Sequence, residues 1–273
     1  MITAGIDVGS VNTKVVFLDS ESGKVVHFCV ARTGLRPKVA GEVNFRHCLE
    51  ATGLKPEAVG HVVATGYGRH AVMFAQGAIT EISAMARGTS RLFPDARTIV
   101  DIGGQDSKVV RLEPGGKVKS FAMNDRCAAG TGHFLETMAR ALNVKVEDLG
   151  RLALESRNPV PVSSLCVVMV ESEILSLVAD DVPVADIVAG THYALARRVV
   201  NMAAGGTIAE PVVFCGGVAR NEGMRVALAD TLGMPVQVPE EPIIVAALGA
   251  ALTKPGAGGG RSVAGGRWPV AGA

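Results

Sequence analysis

The sequence predicts an α/β protein built from two repeated lobes, and three observations support this class. The ten residues that begin at Asp7 recur at Asp101, 94 residues later, with six positions identical or exchanged between Val and Ile. Each copy reads as an apolar strand, a glycine turn and a second strand of alternating β-branched residues, which is typical of a β-hairpin. Each half then closes with a strand, a glycine turn, an arginine and a helix. Two such lobes would leave a nucleotide-sized cleft between them, where open α/β sheets usually bind ligands.

The remaining elements follow from this repeat. In the first half the pattern predicts a third strand over 24–31, a helix over 39–51 and a strand over 59–65. The second half repeats the third strand and the closing strand, and carries four helical patterns between them. Those elements are predicted over 117–123, 131–142, 146–155, 167–179, 185–204 and 211–215. Because the helical patterns have no counterpart in the first half, features specific to this protein are expected there.

The chain is therefore divided into a first lobe at 1–95 and a second lobe at 96–254. The remainder, 255–273, is rich in Gly and Ala without periodicity, and it is predicted to be a disordered tail.

Composition excludes several classes of protein. Hydrophobic residues make up 48% of the 273 residues, but charges or glycines interrupt every apolar run, so no membrane span is predicted. The first residues, MITAGIDVGS, show neither a basic leader nor a small-residue cleavage site, so no secretory signal is predicted. A cytoplasmic location is expected. Five widely spaced cysteines argue against a disulfide framework. A net charge of +1 with 4% aromatic residues gives no footprint of a nucleic-acid binder.

The two hairpin turns have the chemistry of a phosphate site. A strand that ends in Asp7 or Asp101 and continues into Gly offers a carboxylate for the water shell of Mg²⁺ and backbone N–H groups for phosphate oxygens. Neither turn matches a Walker A loop or a dinucleotide fingerprint. The pair Gly216-Gly217 follows an apolar strand and would let a flat base approach the backbone, so it is interpreted as the adenosine contact.

Two cysteines, Cys127 and Cys166, each stand just before an amphipathic helical pattern, so both are expected at helix N-termini, where a thiolate is stabilised. A 4Fe-4S cluster needs four thiolates, so a symmetric dimer could complete it. Buried structural cysteines, or a zinc site with His133 or His192, are the alternatives. Cys215, Cys29 and Cys48 have no partner pattern and are interpreted as structural.

Several motifs resemble those of a known superfamily. The strings GIDVGSVNTK, VDIGGQDSK and VVFCGGVARN look like the two phosphate motifs and the adenosine motif of the actin and hexokinase-like (ribonuclease H-like) fold. With ATGYGR, NDRCAAGTG, VSSLC and ALGAAL, the chain strongly resembles the ATP-dependent activators of 2-hydroxyacyl-CoA dehydratases. It is also similar to the nucleotide-binding subunits of ATP-dependent benzoyl-CoA reductases.

The resemblance implies a set of site residues. It assigns Mg²⁺ and the attacking water to Asp7 and Asp101, and catalysis to these two with Gln105. It assigns the 4Fe-4S cluster, one per dimer, to Cys127 and Cys166. It assigns ATP or ADP to residues of three motifs, which are Gly9, Ser10, Val11, Asn12, Thr13, Lys14, Gly103, Gly104, Asp106, Lys108, Gly216, Gly217 and Asn221.

The resemblance also implies partners. A reduced ferredoxin or flavodoxin would supply an electron to the shared cluster, and ATP hydrolysis would drive that electron to an acyl-CoA dehydratase or reductase. The two cluster-binding chains would form a homodimer or a paralogous heterodimer. The alternatives are a benzoyl-CoA reductase subunit or, from another class, a small-molecule kinase of the same fold.

Overall fold

Two five-stranded mixed sheets organise the chain. The computed structural model describes residues 1–162, 166–203 and 208–254, so the predicted tail at 255–273 lies outside the described residues. The strands of the first sheet are β1 (Ile2–Val8), β2 (Asn12–Asp19), β3 (Val25–Arg32), β4 (Val59–Thr65) and β5 (Gly77–Ala78). Those of the second sheet are β6 (Thr98–Ile102), β7 (Ser107–Leu112), β8 (Val118–Asn124), β9 (Val212–Cys215) and β10 (Val236–Gln237).

The strand order repeats between the sheets. It is β3-β2-β1-β4-β5 in the first sheet and β8-β7-β6-β9-β10 in the second. In each sheet the first strand of the hairpin pairs antiparallel with its successor and parallel with the closing strand. The predicted α/β class with two repeated lobes is therefore confirmed.

Eight α-helices accompany the sheets among the described residues. They are α1 (Pro37–Thr52), α2 (Glu81–Leu92), α3 (Gly132–Ala141), α4 (Leu149–Glu155), α5 (Val167–Ala179), α6 (Val184–Met202), α7 (Glu222–Leu232) and α8 (Val245–Ala251). The helix predicted over 146–155 begins as a 3-10 turn, Val146–Asp148, and becomes α-helical only at Leu149. No helix within these described ranges combines the length and the apolar character needed to cross a membrane.

The chain separates into two compact units. Among the described residues, the first contains Met1–Pro94, Gly115–Val118 and 243–254, and the second contains Asp95–Pro114 and 119–242. The division at 95/96 into duplicated lobes stays a prediction, whereas the compact units place α8 with the first sheet. Phe17 and Phe45 meet edge to face in the core of the first unit, and Ile102, Phe134 and Phe214 are buried in the core of the second.

Close helix packing in the first unit depends on glycine. A Cβ at Gly249 on α8 would overlap the carbonyl of Ala84 on α2, and one at Gly88 would overlap the carbonyl of Val245. We expect Gly249→Ala to lower the free energy of unfolding by about 2 to 3 kcal/mol, because the two helices must separate. Chemical denaturation measures this change. Gly77→Ala is the control, since its Cβ would meet only Val63 at 3.8 Å; an equal loss in both variants would contradict the packing argument.

Candidate functional site

The two hairpins place an aspartate and a lysine in the same register. Asp7 pairs with Lys14 across β1 and β2, and Asp101 pairs with Lys108 across β6 and β7. The Nζ of Lys14 lies 2.9 Å from Oδ2 of Asp7, and the Nζ of Lys108 lies 3.5 Å from Oδ2 of Asp101. Both aspartates are buried. Each strand therefore ends in a carboxylate whose position is fixed by a neighbouring cation.

Both turns are closed by the same backbone hydrogen bond. The N–H of Gly9 donates to the carbonyl of Asn12 at 3.1 Å, and the N–H of Gly103 donates to the carbonyl of Asp106 at 2.9 Å. A Cβ at Gly9 would come within 2.9 Å of the Asn12 carbonyl oxygen, and one at Gly103 within 2.6 Å of Oδ1 of Asp106. A side chain at Gly9 would therefore displace the turn, whereas one at Gly103 would displace the Asp106 side chain.

The residues at the tips of the two turns are more exposed than the aspartates at the strand ends. Ser10 and Gln105 are exposed, while Val11 and Gly104 are half-buried. The Oδ2 of Asp106 accepts a hydrogen bond from Lys108 at 2.7 Å. The predicted roles of these residues toward phosphate and water stay predictions.

In each sheet, the glycine that follows the closing strand lies close to the aspartate of the hairpin. Gly66 follows β4 with φ +90°, and Gly216 follows β9 with φ +88°. A Cβ on Gly66 would overlap Oδ1 of Asp7, and one on Gly216 would lie 2.9 Å from Oδ1 of Asp101 and overlap the carbonyl of Ile102. Gly66 is absent from the predicted site. Its place after a closing strand, matching Gly216 in the repeat, was the signal that could have identified it.

Threonine hydroxyls distinguish the first hairpin. Thr65 lies opposite Asp7 in the register of β1 and β4, and its buried Oγ1 has no hydrogen-bond partner among the described residues. Thr13, a predicted phosphate contact, is fully buried, and its Oγ1 lies 2.9 Å from Oγ1 of Thr33, which donates to the carbonyl of Gly9 at 2.8 Å. Thr13 thus supports the turn indirectly, through the hydroxyl of Thr33. Thr33 was missed because it lies outside every motif, and Thr65 was missed because no role was assigned to its motif, ATGYGR.

Asn221, a predicted nucleotide contact, caps a helix. Its Oδ1 accepts from the N–H of Met224 at 2.9 Å at the start of α7. Its Nδ2 lies 2.9 Å from Nε2 of His192, whose Nδ1 lies 2.8 Å from the carbonyl of Val188. This pattern requires a neutral imidazole with the proton on Nδ1, because a carbonyl can only accept. Both ring nitrogens of His192 are therefore occupied, which leaves none for zinc.

Burial makes stability depend on pH. Desolvation lowers the pKa of His192 and of His61 below the ordinary value in the folded chain, so the unfolded chain binds the proton more tightly. We expect the free energy of unfolding to fall as the pH drops below about 6.5, by up to about 1.4 kcal/mol per pH unit for each buried histidine. Denaturation midpoints between pH 7.5 and 5.5 measure this. His192→Gln should flatten the dependence, whereas the exposed His47→Gln is the control; identical slopes in all three proteins would contradict the assignment.

The two exposed cysteines occupy different local structures. Cys166 is the N-cap residue of α5, and its carbonyl accepts from the N–H of Val170 at 2.9 Å; the preceding residues 163–165 lie outside the described part of the chain. Cys127 lies in a loop before α3, which begins only at Gly132. The expectation of a helix N-terminus is therefore correct for Cys166 and wrong for Cys127.

The physical reason is the side chain of Asn124. Its Nδ2 donates to the carbonyls of Cys127 at 2.8 Å and Ala129 at 2.9 Å, while its Oδ1 accepts from the N–H of Cys127 at 3.3 Å. These bonds fold the Cys127 loop (residues 124–129) into a turn of its own. Arg198 on α6 also donates to the Ala129 carbonyl at 3.2 Å. His133, the other alternative zinc ligand, is exposed and pairs with Glu136.

The second hairpin bonds directly to the start of α3. The N–H of Gly132 donates to the carbonyl of Gly103 at 2.8 Å, and the N–H of His133 donates to that of Gly104 at 2.9 Å. The first N–H groups of a helix have no partner within the helix, so here the turn satisfies them. A shift of this turn would therefore move α3 and the Cys127 loop that leads into it.

Comparison with known proteins places the chain in a family. The sequence pattern of the BadF/BadG/BcrA/BcrD ATPase family matches residues 4–253. The chain belongs to this family. It is 43% identical to an activator of lactoyl-CoA dehydratase from Anaerotignum propionicum, over 92% of this chain and 96% of that protein. Within the family it is less similar, at 32% identity over 85% of the chain and 83% of its relative, to a benzoyl-CoA reductase component from Thauera aromatica.

Solved structures of family members share this fold. The (R)-2-hydroxyglutaryl-CoA dehydratase component A of Acidaminococcus fermentans superposes with a TM-score of 0.88 at 39% identity, covering 92% of this chain and 96% of that one. The activator of 2-hydroxyisocaproyl-CoA dehydratase from Clostridium difficile, solved with bound ADPNP, gives 0.87 at 40% identity, covering 92% and 93%. The resemblance inferred from the motifs is confirmed, and the chain is an ATPase of this family.

Proposed function

We propose that this ATPase is the activator of a 2-hydroxyacyl-CoA dehydratase, and that it couples ATP hydrolysis to one-electron transfer through a 4Fe-4S cluster shared by two copies of the chain. In each cycle a reduced ferredoxin or flavodoxin loses one electron and the dehydratase gains one. ATP is hydrolysed to ADP and phosphate. The observation that carries the proposal is the pair of hydrogen bonds from the start of α3 to Gly103 and Gly104, since they join a phosphate-type turn to the Cys127 loop.

The residues of the hairpins fit Mg²⁺ and a nucleotide. Asp7 and Asp101 would orient the water shell of the ion, and the backbone of the two turns with Lys14 and Lys108 would hold phosphate oxygens. The buried hydroxyl of Thr65, which has no hydrogen-bond partner among the described residues, supports a polar ligand beside Asp7. Gly216 and Gly217 would contact adenosine, and Gln105 would orient water.

The donor set fits a cluster that needs a second chain. Cys127 and Cys166 are both exposed thiols, and two from each chain supply the four thiolates of a 4Fe-4S cluster. Such a cluster, when bound, accepts and passes on one electron. The outer face of α5 supports an adjacent subunit interface, because four large apolar side chains are exposed there, which are Val168, Met169, Leu175 and Val178. Exposed apolar area of this kind marks interaction surfaces.

The turn of the second hairpin would transmit the state of the nucleotide. When phosphate binds or leaves, the backbone around Gly103 and Gly104 adjusts, and the hydrogen bonds to Gly132 and His133 carry that shift into α3. The Cys127 loop would follow, since Asn124 holds it as one unit. Any ligand that favours one of two arrangements shifts their populations by its difference in affinity.

The test is anaerobic purification followed by four measurements: iron and sulfide content, oligomeric state, ATP hydrolysis, and ATP-dependent activation of a dehydratase. A brown dimer with four iron atoms per two chains that activates the dehydratase is expected. A cluster that forms only after mixing with a paralogous chain would instead indicate a benzoyl-CoA reductase subunit, the alternative that the lower identity disfavours. A colourless, iron-free monomer that phosphorylates a sugar would contradict the proposal and indicate a kinase.

A further inference from the structure

The first unit brings together three side chains that can bind a metal ion, and none of them belongs to the candidate site described above. His27 and Cys29 lie on β3 and Cys48 lies on α1, and one ligand atom from each lies within 4.8 Å of the others. We propose that His27, Cys29 and Cys48 form a Zn²⁺ site that ties β3 to α1, with water in the fourth position. Cys29 and Cys48 were interpreted as structural cysteines without a partner pattern, and the fold brings them together although their spacing does not indicate it.

The backbone explains why these side chains meet. Residues two apart on a strand point to the same face, so His27 and Cys29 share the face of β3 that α1 covers. Across the hairpin they lie opposite Phe17 and Val15 on β2. Cys48 belongs to the buried side of α1 that packs into the same core. Strand periodicity and helix packing thus bring the three ligand atoms close together.

Further hydrogen bonds hold α1 against β2 and β3 around the three ligands. Asn44 lies one turn before Cys48 on α1, and its Nδ2 donates to the carbonyl of Cys29 at 3.2 Å and to that of Thr13 at 2.9 Å. The thiol of Cys48 donates to the carbonyl of Val15 at 3.8 Å, a long contact for a weak donor. Because the Asn44 side chain ties α1 to the backbone of β2 and β3, we expect metal binding to need only rotation of the ligand side chains.

The dimensions suit zinc. A tetrahedral site with Zn–S bonds of about 2.3 Å has edges of about 3.8 Å, so atoms no more than 4.8 Å apart need to close by about 1 Å at most. Two thiolates and one imidazole with an open position form a ligand set that Zn²⁺ accepts. A 4Fe-4S cluster would need four thiolates, and the group found among the described residues has two.

Charge favours an ion at this place. With Zn²⁺, two thiolates and a neutral imidazole give a centre of zero net charge, which a buried site tolerates. His27 and Cys29 are half-buried, so the ion can reach the site from solvent.

The structural consequence concerns the edge of the first sheet. β3 is the outermost strand of that sheet, and its Val25, Val26 and Val30 are exposed. An unprotected edge strand invites pairing with other chains. A metal clip between β3 and α1 would hold this strand in place, so Zn²⁺ should raise the unfolding temperature of the chain.

The test uses the full chain with Cys127→Ala and Cys166→Ala, which removes the other exposed thiols. Purified anaerobically, freed of metal and titrated with Zn²⁺ alone, it should bind one ion per chain. The unfolding midpoint should rise by about 5 °C or more at a free Zn²⁺ concentration one hundred times the Kd. Co²⁺ in place of Zn²⁺ should produce an intense thiolate-to-metal charge-transfer band. His27→Gln and Cys48→Ala should each remove the charge-transfer band or weaken binding at least tenfold.

His47→Gln is the matched control, because His47 is the exposed neighbour of Cys48 on α1; it should bind Zn²⁺ like its parent. If Cys48→Ala fails to fold, His27→Gln decides, since its side chain is only half-buried. Binding that is absent in the parent, unchanged in both ligand variants, or equally weakened in His47→Gln overturns the site. Recovery of a Cys29–Cys48 disulfide by mass spectrometry from the anaerobically purified protein overturns it as well.

Discussion

Replacing Cys127 or Cys166 by alanine should reduce the iron and sulfide content of the anaerobically purified protein to background and abolish electron transfer to a dehydratase. ATP binding should stay within about twofold of the wild type, since both side chains are exposed and lie outside the two hairpins. The physical reason is ligand number: two chains that each lose one of two thiolates leave only two of the four that a 4Fe-4S cluster requires. Iron analysis and nucleotide titration measure the two effects separately.

The control is Ser172→Ala, a small substitution at an exposed position on α5, which should retain the full iron content. A variant of either cysteine that keeps the cluster would show that the thiol is not a ligand. Loss of ATP binding together with iron would instead indicate that the cysteine is needed for folding of the second unit, and would contradict the assignment.

Replacing Gly216 by alanine should lower kcat/KM for ATP by about a hundredfold or more. An added Cβ would overlap the carbonyl of Ile102 and lie 2.9 Å from Oδ1 of Asp101, and the backbone has φ +88°, where a side chain is strained. Either the turn or the aspartate must therefore shift, and a displacement of about 1 Å in a reacting geometry can cost a hundredfold in rate. Steady-state ATP hydrolysis by the purified protein measures the loss.

Gly233→Ala provides the comparison in the same unit. Gly233 ends α7 with φ +67°, and its Cβ would meet nothing within 4 Å. It should lose about 1 to 2 kcal/mol of stability through backbone strain alone and keep its rate of ATP hydrolysis. If both variants hydrolyse ATP at the wild-type rate, Gly216 does not shape the nucleotide site.

The repeat made most of the fold predictable, because a hairpin with the same hydrophobic period appears twice. The strand predicted over 59–65 and the helix over 167–179 match β4 and α5 at both ends, and other elements differ by one to three residues. The helix predicted after Arg69 had no stated bounds, and in the structure it begins only at Glu81, as α2, while α8 was not predicted. Their apolar residues pack against each other through Gly88 and Gly249, and a close approach between distant segments leaves no local signal.

Site residues at the ends of the repeated strands could be predicted from the sequence. Site residues that depend on contacts between distant segments of the chain could not. Asp7 and Asp101 were predicted as site residues because they lie at the ends of the repeated strands, and the structure places each of them beside a lysine. The prediction for Cys127 failed because Asn124, three residues earlier, turns the chain before the helix begins. Thr33 braces the first turn from the end of β3, and Cys29 meets Cys48 through strand and helix packing. Such contacts depend on tertiary structure, so no spacing in the sequence indicates them.

The two hairpins share the same register but differ in the number of charged side chains near their turns. Where the first hairpin has Asn12, the second has Asp106 at the equivalent position. The first hairpin therefore sets one carboxylate, Asp7, against one ammonium group, Lys14, whereas the second sets two carboxylates against the one ammonium group of Lys108. A single exchange of amide for acid leaves the paired charges of the first hairpin balanced and gives the second hairpin one excess negative charge. We therefore expect a divalent cation to be attracted more strongly to the second hairpin than to the first, because the attraction grows with the uncompensated negative charge.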